Sequence, residues 1–141
     1  MYFDGMAELQ DLLRNNRHGT VVTLKRDGRP QLSPVSFSFD GEVIRVSSTD
    51  DRAKIKNLRR DPRVSFYVTG PGYNGYVVAE GTATLSDVAA DPHDATVDEL
   101  VEVYRSIAGE HPDWDEYRAA MVADKRLVLR VSVDRVYGWQ R

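Results

Sequence analysis

Leu9, Leu12 and Leu13 fall on one face at helical spacing, which predicts a short amphipathic helix over 6–16 ending near Asn15-Asn16. The period then changes. Gly19-Thr20-Val21-Val22-Thr23-Leu24-Lys25 is β-branched and predicts a strand, closed by a tight turn at Arg26-Asp27-Gly28-Arg29. From Gln31 to Phe39, Leu32, Pro34/Val35, Phe37 and Phe39 alternate with Ser33, Ser36 and Ser38, a second strand. Pro34 withholds one ladder donor there, which argues for an edge, a bulge or a place where another group meets the backbone. Asp40-Gly41 turns the chain into a third strand, Glu42 to Ser47, so the three strands read as a meander.

The stretch from Ser47 to Arg63 predicts a helix capped by Ser48 or Thr49, carrying Ile55 and Leu58 three residues apart and stopping at Asp61-Pro62. Val64 to Thr69 is strand-like, Gly70 to Gly75 a loop, and Tyr76 to Leu85 a strand whose Glu80-Gly81 pair suggests a bulge. A polar loop from Asp87 to Asp94 leads to Thr96-x-x-Glu99, which resembles a capping box. The helix it opens sets Leu100, Val101, Tyr104, Ile107 and Ala108 on one side and ends at Gly109. Asp113 and Glu116 cap a further helix bearing Trp114, Tyr117, Met121 and Val122. Alternation from Arg126 to Tyr137 predicts a last long strand. Six strands, mostly joined by hairpins, with helices in the gaps, predict a mainly β, α+β fold: a six-stranded antiparallel barrel with helical plugs, in one domain over 1–141.

Charge adds a location. The net charge is only -3, yet residues 52–63 carry Arg52, Lys54, Lys56, Arg59, Arg60 and Arg63, whereas Asp87 to Glu116 hold ten acidic side chains against Arg105 alone. This asymmetry suits a local site for an anionic small molecule better than a nucleic-acid surface, which spreads basic charge across a domain. Cations beside the free N–H groups of a helix start are suited to phosphate. Cysteine is absent, which excludes disulfides, thiolate nucleophiles and Cys-ligated metals. No apolar run approaches the ~20 residues of a membrane span and no signal-peptide pattern opens the chain, so a cytoplasmic location is expected. His18, His93 and His111 lack metal-ligand spacing, no nucleophile elbow accompanies the serines, and neither of the usual nucleotide-binding glycine loops occurs. The chain therefore offers no catalytic side chain and no metal site of its own. Any redox chemistry would come from a bound cofactor, with the protein supplying position and electrostatics.

The Gly-Thr-Val-Val-Thr strand, Asp-Gly-Arg-Pro-Gln-Leu-Ser-Pro-Val, and Arg52-Ala-Lys54-x-x-Asn57-Leu-x-x-Asp61-Pro together resemble the pyridoxamine 5'-phosphate oxidase-like split β-barrel superfamily. Val-Ala-Glu-Gly-Thr-Ala, Tyr-Arg-x-Ile-Ala-Gly-Glu-His and Val-Tyr-Gly further resemble its B-type flavin/deazaflavin branch, which uses coenzyme F420. The resemblance implies an FMN-binding type of split barrel and a homodimer with cofactor at the subunit interface. It implies that Arg52 and Lys54 hold the cofactor phosphate, and that Asn57, Ser47 and Ser48 attend the same region. Gln31, Ser33, Pro34 and Val35 would run along the tricyclic ring, and Tyr76 or Tyr73 of the partner subunit would meet it. Residues i and i+2 of a regular helix do not share a face, so Arg52 must belong to the cap if it and Lys54 are to meet one phosphate. The implied reaction is hydride transfer from reduced F420 to an electron-poor small molecule such as a quinone, an enone or a tetrapyrrole. FMN is the alternative cofactor, and a non-catalytic cofactor-binding protein the alternative role. Tyr-Gly-Trp-Gln-Arg stands where true pyridoxamine phosphate oxidases carry Arg-Leu-x-Pro, an expectation against vitamin B6 oxidation.

Overall fold

The computed structural model describes residues 2–140. In chain order the elements are α1 (Tyr2–Arg14), β1 (His18–Leu24), β2 (Pro30–Ser36), β3 (Ser38–Phe39), β4 (Val43–Thr49) and α2 (Ala53–Arg60), then β5 (Arg63–Thr69), β6 (Tyr76–Leu85), α3 (Ala95–Ala108), α4 (Trp114–Ala123) and β7 (Arg126–Trp139). The seven strands form one sheet in the order β2-β1-β5-β6-β7-β4-β3, with every pairing antiparallel. Its two edges, β2 and β3, are consecutive in the chain and separated only by Phe37. A sheet whose first and last strands are joined by one residue has to curl until its edges meet. It does so as a split barrel.

Phe37 explains the strand count, which is seven where the sequence predicts six. Its side chain is fully buried, edge-on to Phe66 at 4.7 Å between centroids, and its N–H donates to Arg17 O at 2.9 Å. The predicted strand over 31–39 therefore turns a corner at Phe37 and pairs with β1 on one side and β4 on the other. The meander is corrected accordingly, since β2 and β4 are not neighbours in the sheet.

Alternation fills the barrel. Val21, Ile44, Val46, Phe66, Val68, Val77, Leu127 and Leu129 point inward, each at most 1% exposed. Leu12 and Leu13 of α1 and Ile55 and Leu58 of α2 join the same cluster, so these helices plug the barrel. The helices α3 and α4 pack on the other face of β7, where Val128 sits beneath Val97, Leu100, Tyr117 and Met121. Leu127, Val128 and Leu129 are consequently buried in succession, on both faces of one strand. Gly81 lies at the predicted bulge, where the register against β7 shifts between Glu80 and Gly81.

Several helix and strand ends depart from expectation. α1 runs from Tyr2 to Arg14 rather than over 6–16, and Asn16 Nδ2 then caps Leu12 O at 2.7 Å. Ser48 and Thr49 do not cap α2, because both belong to β4, paired with Leu127 and Arg126. The N-cap is Arg52, extended at φ -69° and ψ 145°, with no side-chain cap bond. Thr96 does not cap α3 either. Asp94 does, accepting from Val97 N at 2.8 Å, while Thr96 is buried and donates to Asp87 O. Asp113 caps α4 as expected, accepting from Glu116 N. β7 continues past Tyr137 to Trp139. Among the described residues, no helix is long and apolar enough to cross a membrane.

Candidate functional site

The curl brings edge strand β2, the end of β4 and the start of α2 to one mouth, and α3 with α4 form the facing wall. Between them lies a cleft of about 790 Å³. Gln31, Ser33, Pro34 and Val35 line it from β2, Ser47 and Ser48 from β4, and Arg52 and Lys54 from the start of α2. Pro34 does stand on an edge strand. Eight of the ten candidate residues thus meet at one place.

Arg52 and Lys54 converge because one lies outside the helix and the other within its first turn. Lys54 is 9% exposed and makes no hydrogen bond or ion pair to a described residue. Burial pushes its ammonium pKa down, and Arg52 and Arg126 push it the same way. A buried cation flanked by cations calls for an anion from outside.

Arg126, which the sequence reading missed, completes this set. It opens β7 opposite Thr49, lines the cleft, and reaches Ser47 Oγ through Nη1 at 3.4 Å. Its Nε is buried with no partner. Only the register of β4 against β7 places it there, and no local motif announces it. The three cations and the Ser47 hydroxyl suit phosphate, which takes charge-assisted hydrogen bonds from several donors, whereas the buried Ser48 hydroxyl donates to Thr49 O.

The facing wall is apolar. Val103, Tyr104 and Ile107 of α3 and Tyr117 and Met121 of α4 line it. Its aromatics pack on one another: Tyr104 meets His111 and Trp114 edge-on and Tyr117 at a tilt, at 5.1 to 5.7 Å between centroids. Tyr104 and Tyr117 also turn toward the cleft. Burial pushes the Tyr117 hydroxyl up to about 12, and it donates to Leu100 O at 3.0 Å, so it is a fixed packing group rather than a proton donor.

Two candidates lie elsewhere. Asn57 is 8% exposed and does not line the cleft, because its side chain points back across the barrel to Thr23 Oγ1 at 3.1 Å. Tyr76 sits between Thr69 and Trp139 in the sheet, its ring 6.0 Å from that of Tyr67, away from this chain's own cleft. Tyr73 is 86% exposed in the loop before β6 and likewise apart from it. The further cations of the basic stretch are mostly engaged. Arg59 pairs with Asp50 at 2.5 Å, Arg60 donates to Leu24 O and Asn57 Oδ1, and Arg63 pairs with Asp61. No group of His, Asp and Glu able to hold a metal occurs among the described residues.

A profile of the pyridoxamine 5'-phosphate oxidase family matches residues 6–140. The chain belongs to that family. Among solved structures, a conserved hypothetical protein of Mycobacterium tuberculosis, Rv2991, is 29% identical, with a TM-score of 0.72 over 95% of this chain and 83% of that one. A protein described as an F420 reductase is 26% identical, with a TM-score of 0.63 over 91% of this chain and 94% of that one. An FAD-binding protein of Mesorhizobium loti, at 20% identity and TM-score 0.66 over 94% of this chain and 90% of that one, shares the fold. The split barrel is the fold that the sequence resemblance implies.

Proposed function

We propose that this chain is an oxidoreductase that binds coenzyme F420 in the cleft and reduces an electron-poor small molecule such as a quinone, an enone or a tetrapyrrole. The observation that carries this reading is Lys54, buried without a counter-charge between Arg52 and Arg126 at one end of a cleft whose other wall is apolar. That polarity matches a ligand with a phosphate at one end and a flat conjugated ring at the other. The likeness to an F420 reductase over nearly the full length of both chains supports it. When bound, the deazaflavin supplies the hydride. Arg52, Lys54 and Arg126 hold the phosphate, Gln31, Ser33, Pro34 and Val35 border the ring, and Val103, Tyr104 and Ile107 keep water from it.

FMN is the second reading, and one observation favours it. The cations that would engage the longer anionic tail of F420, Arg59 and Arg60, are already bonded within the chain, which leaves Lys56. The phosphate site itself serves either cofactor.

We also place a second copy of the chain on the outer sheet face. Tyr67, Val78 and Tyr137 form one cross-strand row there, Thr69, Tyr76 and Trp139 the next, and Tyr67, Tyr137 and Trp139 are 38, 47 and 48% exposed. Thr20 and Pro34 extend the Tyr67 row to β2, which floors the cleft, so a partner on this face would bring its Tyr76 and loop toward that strand. Tyr137→Asp should shift the chain from dimer to monomer by light scattering. A wild-type monomer at micromolar concentration rejects the dimer.

Parallel titrations with F420 and FMN test the cofactor. Micromolar or tighter binding of F420, followed by turnover with a quinone or enone, supports the proposal. Preference for FMN moves it to a flavoprotein, binding without turnover to a cofactor-binding protein, and binding of neither removes it.

A further inference from the structure

Asn57, expected at the cofactor, is one link in a hydrogen-bond chain that ends in the cleft. Arg60 Nη2 donates to Asn57 Oδ1 at 3.1 Å, Asn57 Nδ2 to Thr23 Oγ1 at 3.1 Å, and Thr23 Oγ1 to Gln31 Oε1 at 3.2 Å. Gln31 Nε2 then donates to Ser33 Oγ at 3.0 Å. Asn57 and Thr23 are buried, whereas Gln31 and Ser33 line the cleft.

The direction of this chain follows from its first member. A guanidinium only donates, so the Asn57 oxygen must face Arg60 and its NH2 must face Thr23. The Thr23 hydroxyl, already accepting, has its hydrogen for Gln31 and meets the carbonyl oxygen there. The Gln31 NH2 is thereby turned to Ser33, and the same Nε2 lies 3.5 Å from Leu32 O. Ser33 Oγ accepts, so its own hydrogen is left for the cleft, where no described residue takes it.

We infer that Ser33 is a directed hydrogen-bond donor to an acceptor atom on the edge of a conjugated ring bound in the cleft, and that Arg60, Asn57 and Thr23 are positioning residues that hold it in that sense. The inference rests on the cofactor reading above. It goes beyond that reading by assigning a polarity to Ser33 and a role to residues that touch no ligand. A ring carbonyl of a flavin or deazaflavin is an acceptor of this kind, and a hydroxyl free to rotate would serve it less well, since its alternative orientations have to be given up on binding.

Asn57→Asp tests the direction with almost no change of shape. A carboxylate only accepts, so Thr23 would donate to it and take a hydrogen from Gln31. Gln31 would then offer Ser33 its oxygen, and the Ser33 hydrogen would be spent within the chain. Whichever of FMN and F420 binds the wild type is titrated into Ser33→Ala, Asn57→Asp and the double variant, with inorganic phosphate as a control on the cationic end. Each single variant should weaken the cofactor about three- to tenfold, the scale of one uncharged hydrogen bond, and shift its bound visible absorption band in the same direction. The double variant should be no weaker than either single one, and phosphate affinity should hold throughout. If Asn57→Asp does not fold, Thr23→Val, which keeps volume and strand preference, cuts the same chain and should give a smaller loss in the same sense. Unchanged cofactor affinity and spectrum in Ser33→Ala overturn the donor, and additive losses or an unaffected Asn57→Asp overturn the relay. If neither cofactor binds the wild type, the cofactor reading fails and takes this inference with it.

Discussion

Replacing Lys54 by Met separates a lysine that holds the fold from one that waits for a ligand. Met keeps most of the aliphatic stem, so packing against α2 and the cleft wall changes little. What disappears is the unpaired charge of a residue that is 9% exposed, a charge repelled by Arg52 and Arg126. The ligand-free chain should therefore melt at the same temperature or higher. Binding should move the other way. A hydrogen bond to a charged group contributes about 1.5–3 kcal/mol. Arg52 and Arg126 remain to share the phosphate, so the lower half of that range applies, and at about 1.4 kcal/mol per decade the dissociation constant should rise about ten- to fortyfold. Calorimetric titration with FMN or F420 reads the second effect, and thermal unfolding without ligand the first. A destabilised chain that binds its cofactor with unchanged affinity would refute the reasoning, because Lys54 would then be a structural cation.

The same residue gives a pH signature with a fixed sign. Burial first, then Arg52 and Arg126, lower the Lys54 pKa in the folded chain below its ordinary 10.5. Between the lowered value and 10.5 the unfolded chain binds more protons than the folded one, so this contribution makes stability rise with pH across that window. Lys54→Met should flatten that alkaline rise in urea unfolding measured from neutral pH upward. Bound phosphate should flatten it too, since an anion restores the folded-state pKa.

Other predictions concern the frame that shapes the cleft. A Cβ on Gly81 would meet the backbone oxygen of Ser132 across the bulge, which no side-chain rotation relieves, so Gly81→Ala should lower stability by about 1–3 kcal/mol in urea unfolding; an unchanged midpoint would mean that the bulge yields freely. Glu99 takes Arg130 at 2.5 and 2.8 Å and Arg45 at 3.1 Å beneath α3, with its side chain 21% exposed. Glu99→Gln leaves Arg130 without a counter-charge, while Arg45 keeps Asp40, and should destabilise by about 1.5–3 kcal/mol; an unfolding midpoint within error of wild type would reduce the network to a surface contact. Asp40 is held down to about 2: burial opposes ionisation, but the hydrogen bonds from Arg45, Val43 N and Glu42 N outweigh it. Its contribution should be complete above about 3.8 and fade toward pH 2, so Asp40→Asn should lose stability at pH 7 and show a shallower acid limb; parallel acid limbs would remove it from the account. Because this side chain is half exposed, solvent screens the effect and it should stay under about 1 kcal/mol.

Much of the frame was legible because period and turn chemistry act locally. The strands β1, β4, β5, β6 and β7 lie within a few residues of where their β-branched or alternating runs put them, and Asp40-Gly41 marked its hairpin. What escaped was set by partners distant in the chain. The hydrophobic pattern across 31–39 is continuous, and only the closing of the barrel breaks it at Phe37. Ser48 and Thr49 are good caps, yet Leu127 and Arg126, nearly eighty residues on, hold them in a strand. Thr96 lost the cap of α3 to Asp94, because burial let its hydroxyl bond Asp87 O while the Asp94 carboxylate gathered Ala90, Asp91 and Val97 N–H groups.

The site follows the same division, and charge is where sequence reading is weakest. Six cations in 52–63 read alike in a sequence, but a cation's availability depends on who sits beside it. Asp50 takes Arg59, Asp61 takes Arg63, and a main-chain carbonyl takes Arg60, which leaves Arg52, Lys54 and Lys56, and of these only Lys54 is buried. Arg126 looks unremarkable at a strand start and becomes part of the site only through its register against Thr49. Asn57 shows the converse, since it does not line the cleft. Its spacing of three from Lys54 put both on one side of α2, and the helix honours that spacing. Yet the buried face of a plugging helix has two destinations, the cleft at its start and the barrel interior beyond, and one turn is enough to pass from the first to the second. A residue that lines the cleft and one buried behind it carry the same residue type at the same spacing. They differ only in which side of Thr23 the cleft lies, and that is decided by the curl of the whole sheet.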